Sequence, residues 1–345
     1  MKIEMSPFLP ETMQAVVLEQ KGGPLVVRQI PVPIPGPGEV LVRMAASPIN
    51  PSDLAFMKGS YGRRNRVPAV PGFEGSGTVV AAGRGLLPRL WLGKRVSCAV
   101  SATGGAWAEY LAVSAKLCVP LKNTLSLEQG SMMLVNPLTA LAFLDVARRE
   151  KHAAIVNTAA ASALGRMIVR LGVRYRVPVI NVVRRKEQAD LLLSMGATFV
   201  LRSDDTDFGN QLRDMADRLN ATLILDAVGG KLFQQLFDAA PFGSTFLLYA
   251  NLSTEQLAFD PHGLWSANKR VAGFYLGHWA SRRGVLRMVK DIQRIRRLGA
   301  TDLQTTVQRR FPLVAVRQAV ALYEGNPTAG KVLLVADPGA VHVDE

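Results

Sequence analysis

Residues Ala153–Tyr175 read AAIVNTAAASALGRMIVRLGVRY. The first six form an apolar run of strand length. A loop of small residues follows, NTAAASALGR (Asn157–Arg166). In LGRMIVRLGVRY, Leu164, Met167, Ile168 and Leu171 recur at helical spacing. A strand that enters a helix through such a loop is half of a βαβ unit. The rhythm continues downstream. VPVINVV precedes KEQADLLLSMG, TFVLRS precedes FGNQLRDMADRLN, ATLILDAVGG precedes KLFQQLFDAA, and STFLLYAN follows. Continuous apolar strands alternating with amphipathic helices predict a parallel sheet covered on both faces, the doubly wound arrangement that binds dinucleotides.

The loop has a specific task in that arrangement. The fingerprint G-x-G-x-x-G falls on Ala160, Ser162 and Gly165, and only the third glycine is kept. The first position makes a tight turn, the second lets a pyrophosphate approach, and the third lets the helix pack closely. Alanine and serine are the smallest replacements, so a phosphate can still reach the helix N-terminus, where the Ser162 hydroxyl adds a donor. The second strand ends in NVVRRKEQ. An Asp or Glu there would hold the ribose 2′-hydroxyl of NAD. Arg184 and Arg185 stand in its place, and two guanidinium groups suit a 2′-phosphate. The expected cofactor is NADPH. The plainer alternative is two exposed arginines at a helix start.

Upstream, residues 13 to 120 read as short strands between Gly/Pro turns: MQAVVLEQ, EVLVRMAAS, GSGTVVAAG, KRVSCAV and WAEYLAV. This half predicts a β-rich, barrel-like domain. The last seventy or so residues mix helix and strand and end in KVLLVAD, so the chain is expected to return to the first domain.

The chain has 345 residues, of which 48% are hydrophobic, and this size favours two domains. No long uninterrupted apolar run suggests a membrane span, and MKIEMSPFLPETMQ lacks the apolar core of a secretory signal. Two cysteines, Cys98 and Cys118, are too few for a disulfide framework. A cytoplasmic protein is expected. The net charge is +14. Its densest patch, RRGVLRMVKDIQRIRRLG, places Arg283, Arg287, Lys290, Arg294 and Arg297 on one helical face, with Val285, Met288, Ile292 and Ile295 on the other. The patch reads as a solvated face or as a docking surface for an acidic partner. No aromatic-interleaved basic platform argues for nucleic acid.

These motifs resemble the medium-chain dehydrogenase/reductase superfamily over about residues 13 to 336, and most of all its zinc-free branches. Those are the quinone oxidoreductases (zeta-crystallin-like) and the mitochondrial-type 2-enoyl thioester reductases. The resemblance implies an α/β protein with a GroES-like β-barrel domain plus a Rossmann doubly wound parallel-sheet domain. The expected limits are 1–126 for the GroES-like catalytic domain, completed by 276–345, and 127–275 for the NADP(H)-binding domain. Zinc-dependent relatives carry a cysteine near the segment that reads INPSD (Ile49–Asp53) here, and a histidine before the glutamate that is Glu74 here. In PAVPGFEGSGTVV (Pro68–Val80) that position is Phe73, so no metal is expected. His152, His262, His278 and His342 form no ligand-spaced cluster.

The resemblance also implies site roles. Tyr61, in GSYG, matches the catalytic donor of the enoyl reductases. Thr139, in VNPLTA, and Asn50 are expected beside the nicotinamide. Ala160, Ser162, Ala163, Gly165, Arg184, Arg185, Tyr249 in YANLS and Lys331 in AGKVLL are expected to hold NADPH. Lys331 would be a phosphate contact or an anion guide. In AGFYLGHW, Phe274 and Trp279 are expected to line an acyl pocket, or else to be ordinary core aromatics. The active site is expected in the cleft between the domains of a homodimer's subunit. Three functions stay open: an NADPH-dependent reductase of a 2-enoyl thioester carried on CoA or acyl carrier protein, a quinone or enone reductase, and a non-catalytic NADP(H)-binding sensor.

Overall fold

The computed structural model describes residues 4–5, 9–61, 66–100 and 105–336. The basic run Arg63–Arg64 and His342 lie outside the described residues. The chain divides into two compact units, Met1–Val135 with Ile292–Glu345, and Asn136–Asp291.

In chain order the first unit contributes β1 (Glu4–Met5), β2 (Thr12–Leu18), β3 (Leu25–Pro31), β4 (Glu39–Pro48), α1 (Pro51–Met57), β5 (Glu74–Ala82), α2 (Leu86–Trp91), β6 (Arg95–Ala99), β7 (Tyr110–Ser114), β8 (Cys118–Pro120) and α3 (Leu127–Ser131). Helix α4 (Val135–Arg149) opens on the last residue of this stretch. The second unit continues with β9 (Ile155–Asn157), α5 (Ala163–Tyr175), β10 (Val179–Val183), α6 (Lys186–Ser194), β11 (Phe199–Arg202), α7 (Phe208–Leu219), β12 (Leu223–Asp226), α8 (Gly230–Ala239), β13 (Thr245–Leu248), α9 (His262–Ser266), β14 (Arg270–Gly273) and α10 (Leu276–Ser281). Helix α11 (Val285–Leu298) leads back to β15 (Val307–Pro312), α12 (Val316–Gly325) and β16 (Lys331–Val335).

The first unit is built on one sheet in the order β15-β16-β4-β5-β6-β8, with β7 also on β4 and β1 on β5; β2 and β3 form a separate pair. Strand β4 is the centre of it. It pairs with β7 along Glu39–Arg43, with β5 along Val40–Ala46, and with β16 along Ala46–Pro48. Register shifts in the β5 pairing bend it between partners. β4 therefore ends against β16, and the next residues, Ile49 and Asn50, enter α1. Asn50 is extended and Pro51 takes the first helical position, where no N–H is needed. Asp53 sits at the third position and accepts from the Asn50 backbone N–H at 2.7 Å, as a capping residue does. Trp107, Phe56, Ile49, Val332 and Tyr323 fill the core beneath.

The second unit is a six-stranded sheet in the order β11-β10-β9-β12-β13-β14, every pair parallel. Numbered from β9 this is 3-2-1-4-5-6, so the winding reverses between β9 and β12, where such sheets bind ligands. The central strands are the buried ones: all five residues of β10, VINVV, are buried, whereas the edge strand β14 is partly exposed. Phe208, Leu212, Phe233, Phe237 and Phe246 pack in its core.

Helix α11 differs from the sequence expectation. Arg283 precedes the helix and is not on its solvent face; its guanidinium donates to Asp145 at 2.7 Å and Asp291 at 2.8 Å. Val285, expected on the face opposite the basic residues, is about four-fifths exposed, and so is its neighbour Leu286. Arg287, Lys290, Arg294 and Arg297 remain exposed. Among the described residues no helix is long and apolar enough to cross a membrane.

The turn after β9 places Ala159 at φ +46°. A Cβ in that left-handed region costs about 1–2 kcal/mol. Ala159→Gly is expected to relieve it and, after glycine's extra unfolded-state entropy, to raise stability by up to about 1 kcal/mol. A thermal midpoint equal to or below that of the wild type would refute the strain.

Candidate active site

The site residues fall into two sets, one in each unit. In the second unit the loop between β9 and α5 is held from inside. Ser162 is the N-cap of α5, and its Oγ accepts from the Gly165 N–H at 3.1 Å. That leaves the hydroxyl proton to donate outward. A Cβ on Gly165 would lie 2.4 Å from the Ala160 carbonyl oxygen, so only glycine fits where the helix meets the loop. Ala160 is fully buried and Ala163 opens the helix. The Arg166 Nε reaches back to the Ala161 carbonyl at 2.8 Å.

Across the winding reversal stands a residue that the sequence reading missed. Asp226 ends β12 and is fully buried. Its carboxylate accepts from Thr158 Oγ1 at 2.8 Å, from the Val228 N–H at 2.9 Å and from the Gly229 N–H at 3.0 Å. One side chain thus ties the loop after β9 to the loop after β12. Burial pushes its carboxyl up, opposed by these donors. An acid closing the apolar run LILD, just before AVGG, was the available signal. Gly229 follows at φ +71° with Asn251 Oδ1 against it.

Arg184 and Arg185 are exposed at the end of β10. Tyr249 lies with its ring 5.1 Å from that of Phe143, and its hydroxyl is buried with no hydrogen-bond partner among the described residues. Burial, and then the Asp226 charge, push that phenol up. Phe274 also packs on Phe143, with ring centroids 4.7 Å apart. Trp279 is stacked under the Arg283 guanidinium at 4.7 Å, so its described contact differs from that of Phe274. Thr139 is buried in the second turn of α4.

In the first unit, four polar side chains share one buried space. Asn50, Asp53, Glu74 and Lys331 are each 2% exposed or less. The Lys331 ammonium donates to the Ile49 carbonyl at 2.9 Å and to Asn50 Oδ1. Asn50 Nδ2 donates to Glu74 Oε1 at 3.0 Å. Glu74 Oε2 accepts from the backbone N–H groups of Val135 at 2.9 Å and Leu134 at 3.3 Å. Asp53 Oδ1 accepts from the Phe73 N–H at 3.0 Å. Burial pushes both carboxyls up and the ammonium down, each opposed by its opposite charge. Lys331, expected as a phosphate contact or an anion guide, has its ammonium engaged inside the unit. Asp53 also went unnoticed in the sequence, although the spacing Asn-Pro-Ser-Asp is that of a helix cap.

Tyr61 is half-buried, with its ring tilted on Phe73 at 5.1 Å, and Phe73 in turn meets Phe56 edge-on at 5.5 Å.

Comparison with known proteins agrees with both halves. Residues 36–123 match the alcohol dehydrogenase GroES-like domain family, and residues 163–291 match the zinc-binding dehydrogenase family. The mitochondrial enoyl-[acyl-carrier-protein] reductase of Caenorhabditis elegans is 31% identical over 278 residues, covering 77% of this chain and 79% of its own. A candidate NADPH:quinone reductase from Mesorhizobium loti superposes with a TM-score of 0.85 at 34% identity, over 95% of this chain and 99% of its own. The chain belongs to the medium-chain dehydrogenase/reductase superfamily. It is an NADPH-dependent oxidoreductase. A mycobacterial member solved with NADPH superposes with a TM-score of 0.81 at 26% identity, over 94% of this chain and 99% of its own.

The residues fit a dinucleotide. The crowded Gly165, the capping Ser162, the exposed arginines and the orphaned Tyr249 hydroxyl are what such a group would engage. They do not fit zinc, although one matched family is described by it. Phe73 offers no donor atom, and among the described residues no three His, Cys, Asp or Glu side chains are placed to hold a metal ion. The two thiols pair across β6 and β8 but bond to the carbonyls of Gly75 and Ser114.

Burial pushes the Cys118 thiol up to about 12 and raises Cys98 well up as well. An unfolded thiol titrates near about 8.5, so the folded chain holds more protons between about 8.5 and 12. Their stabilising contribution is complete below that window and is lost as pH rises through it. Stability measured by urea is expected to fall across this range, and a Cys98→Val, Cys118→Val variant is expected to fall less. Parallel curves would reject the assignment.

Proposed function

We propose that this enzyme reduces a conjugated double bond, that of a 2-enoyl thioester, with NADPH. The observation that carries the reading is Tyr61 packed on Phe73, the residue that occupies a ligand position of the zinc enzymes. With no zinc to polarise a carbonyl, the acceptor must already be electrophilic. A double bond conjugated to a thioester carbonyl meets that condition. Bound NADPH would supply the hydride to the β-carbon. The negative charge then spreads to the thioester oxygen and needs a donor. The Tyr61 phenol is protonated at neutral pH and would donate there, and a proton added at the α-carbon completes the reduction. Asn50 and Thr139 would orient the nicotinamide. Phe274 and Trp279 would line the acyl side.

The likeness to mitochondrial enoyl-acyl-carrier-protein reductases supports the thioester. So does the charge of +14, with Arg287, Lys290, Arg294 and Arg297 exposed along α11. A cationic surface steers an anionic CoA or acyl carrier protein. The homodimer implied by the family resemblance would use β14, the edge strand of the six-stranded sheet. A quinone is the second reading, supported by the likeness to a candidate NADPH:quinone reductase.

The deciding assay follows NADPH consumption with a short trans-2-enoyl-CoA beside a simple quinone. Turnover of the thioester is expected, and Tyr61→Phe is expected to lower kcat by about 10²-fold with NADPH affinity unchanged. Turnover of the quinone alone would overturn the thioester. NADPH binding without turnover of either would favour a sensor.

Cofactor choice has its own test. Replacing Arg184 and Arg185 together by alanine is expected to weaken NADPH binding by about 10–100-fold, the value of one charged hydrogen bond or more, while NADH binding stays level. An intact preference would move the 2′-phosphate elsewhere.

A further inference from the structure

Glu74 lies where a ligand-bearing segment would run in the zinc enzymes, yet its carboxylate is fully engaged by donors of the chain itself. Three of them converge on two oxygens: Asn50 Nδ2 on Oε1, and the Val135 and Leu134 N–H groups on Oε2. The Glu74 backbone is fixed as well, since its carbonyl accepts from Ser47 Oγ at 2.6 Å. The chain of bonds runs in one direction. The Lys331 ammonium donates to Asn50 Oδ1, which turns the other end of that amide, Nδ2, toward Glu74. Glu74 then receives the two backbone amides at the start of α4. Val135 ends the first of the two segments of the first unit, and Thr139 follows one turn later on the same helix.

We propose that Glu74 is a positioning residue for hydride transfer, holding the Asn50 amide and the first backbone amides of α4 in one register. The assignment rests on the reading of Asn50 and Thr139 as nicotinamide-side residues. Only a carboxylate can do this. A glutamine would turn a donor toward one of the two groups, donor against donor, and an aspartate is one methylene too short to reach both. Lys331 supplies the countercharge that lets a carboxylate stay buried.

The test compares Glu74→Gln and Glu74→Asp with the wild type by four readouts: circular dichroism, NADPH affinity, kcat with the better acceptor, and hydrogen exchange of the peptide spanning residues 132–140. In Glu74→Gln, exchange at Leu134 and Val135 is expected to quicken by about tenfold or more. The kcat is expected to fall by about tenfold or more, with KM for the acceptor and NADPH affinity little changed. Glu74→Asp, which keeps the charge, is expected to show the same split more weakly. A folded variant with unchanged exchange and kcat would overturn the proposal. So would failure of both variants to fold, since Glu74 would then be structural only. If the wild type turns over neither acceptor, the function reading fails while the exchange arm still decides whether Glu74 anchors the helix start.

Discussion

A buried ammonium between two buried carboxylates is the constraint on which the first unit's chemistry depends. Moving each such ion out of water costs several kcal/mol. Lys331, Asp53 and Glu74 meet that cost with donors and acceptors drawn from four places: the end of β4, the cap of α1, the start of β5 and the start of α4. Hydrophobic residues of the same volume could fill the space at lower cost. They could not set the orientation of the Asn50 amide. With an ammonium at its oxygen and a carboxylate at its nitrogen, that side chain has one favourable rotamer and one favourable flip.

The second unit solves a similar problem with a single acid. A parallel sheet leaves two loops side by side where its winding reverses. Each carries backbone N–H groups that a phosphate can use only if the loops hold still. Asp226 joins them through Thr158 on one side and Val228 and Gly229 on the other. The loop after β9 has lost two of its three fingerprint glycines. It keeps the one at which a side chain would strike the backbone, Gly165. The lost positions needed only small residues, and alanine and serine are small. This explains how a degraded motif can persist in an NADPH-dependent enzyme.

Periodicity made the architecture legible. Strands such as VINVV and helices such as FGNQLRDMADRL were read close to their observed limits, because a buried parallel sheet leaves an uninterrupted apolar signature. The site was legible only where a motif has a fixed offset, as at Ser162 and Gly165. The burial of Lys331 leaves no trace in KVLLV, because the ammonium's partners, Ile49 and Asn50, lie far away in sequence. Arg283 was misplaced for a related reason. Its spacing fits the helix that follows, but Asp145 and Asp291 draw it inward. Charge pairing across long separations has no periodic trace, so buried ions are what a single sequence hides best.

Phe73 shows how one such position can redirect chemistry. In a metal enzyme the residue before this glutamate would donate a lone pair. A phenylalanine removes the donor and adds a ring, and the ring packs on Tyr61 and meets Phe56 edge-on. The exchange has two consequences that agree. Under the proposed function, the acceptor must then carry its own activating carbonyl. The aromatic shelf limits the rotation of Tyr61, whose phenol would donate to such a carbonyl. The glutamate that follows directs its carboxylate at Asn50 and the start of α4. Under the proposed function, the shelf beneath Tyr61 and the positioning role of Glu74 then belong to one metal-free design.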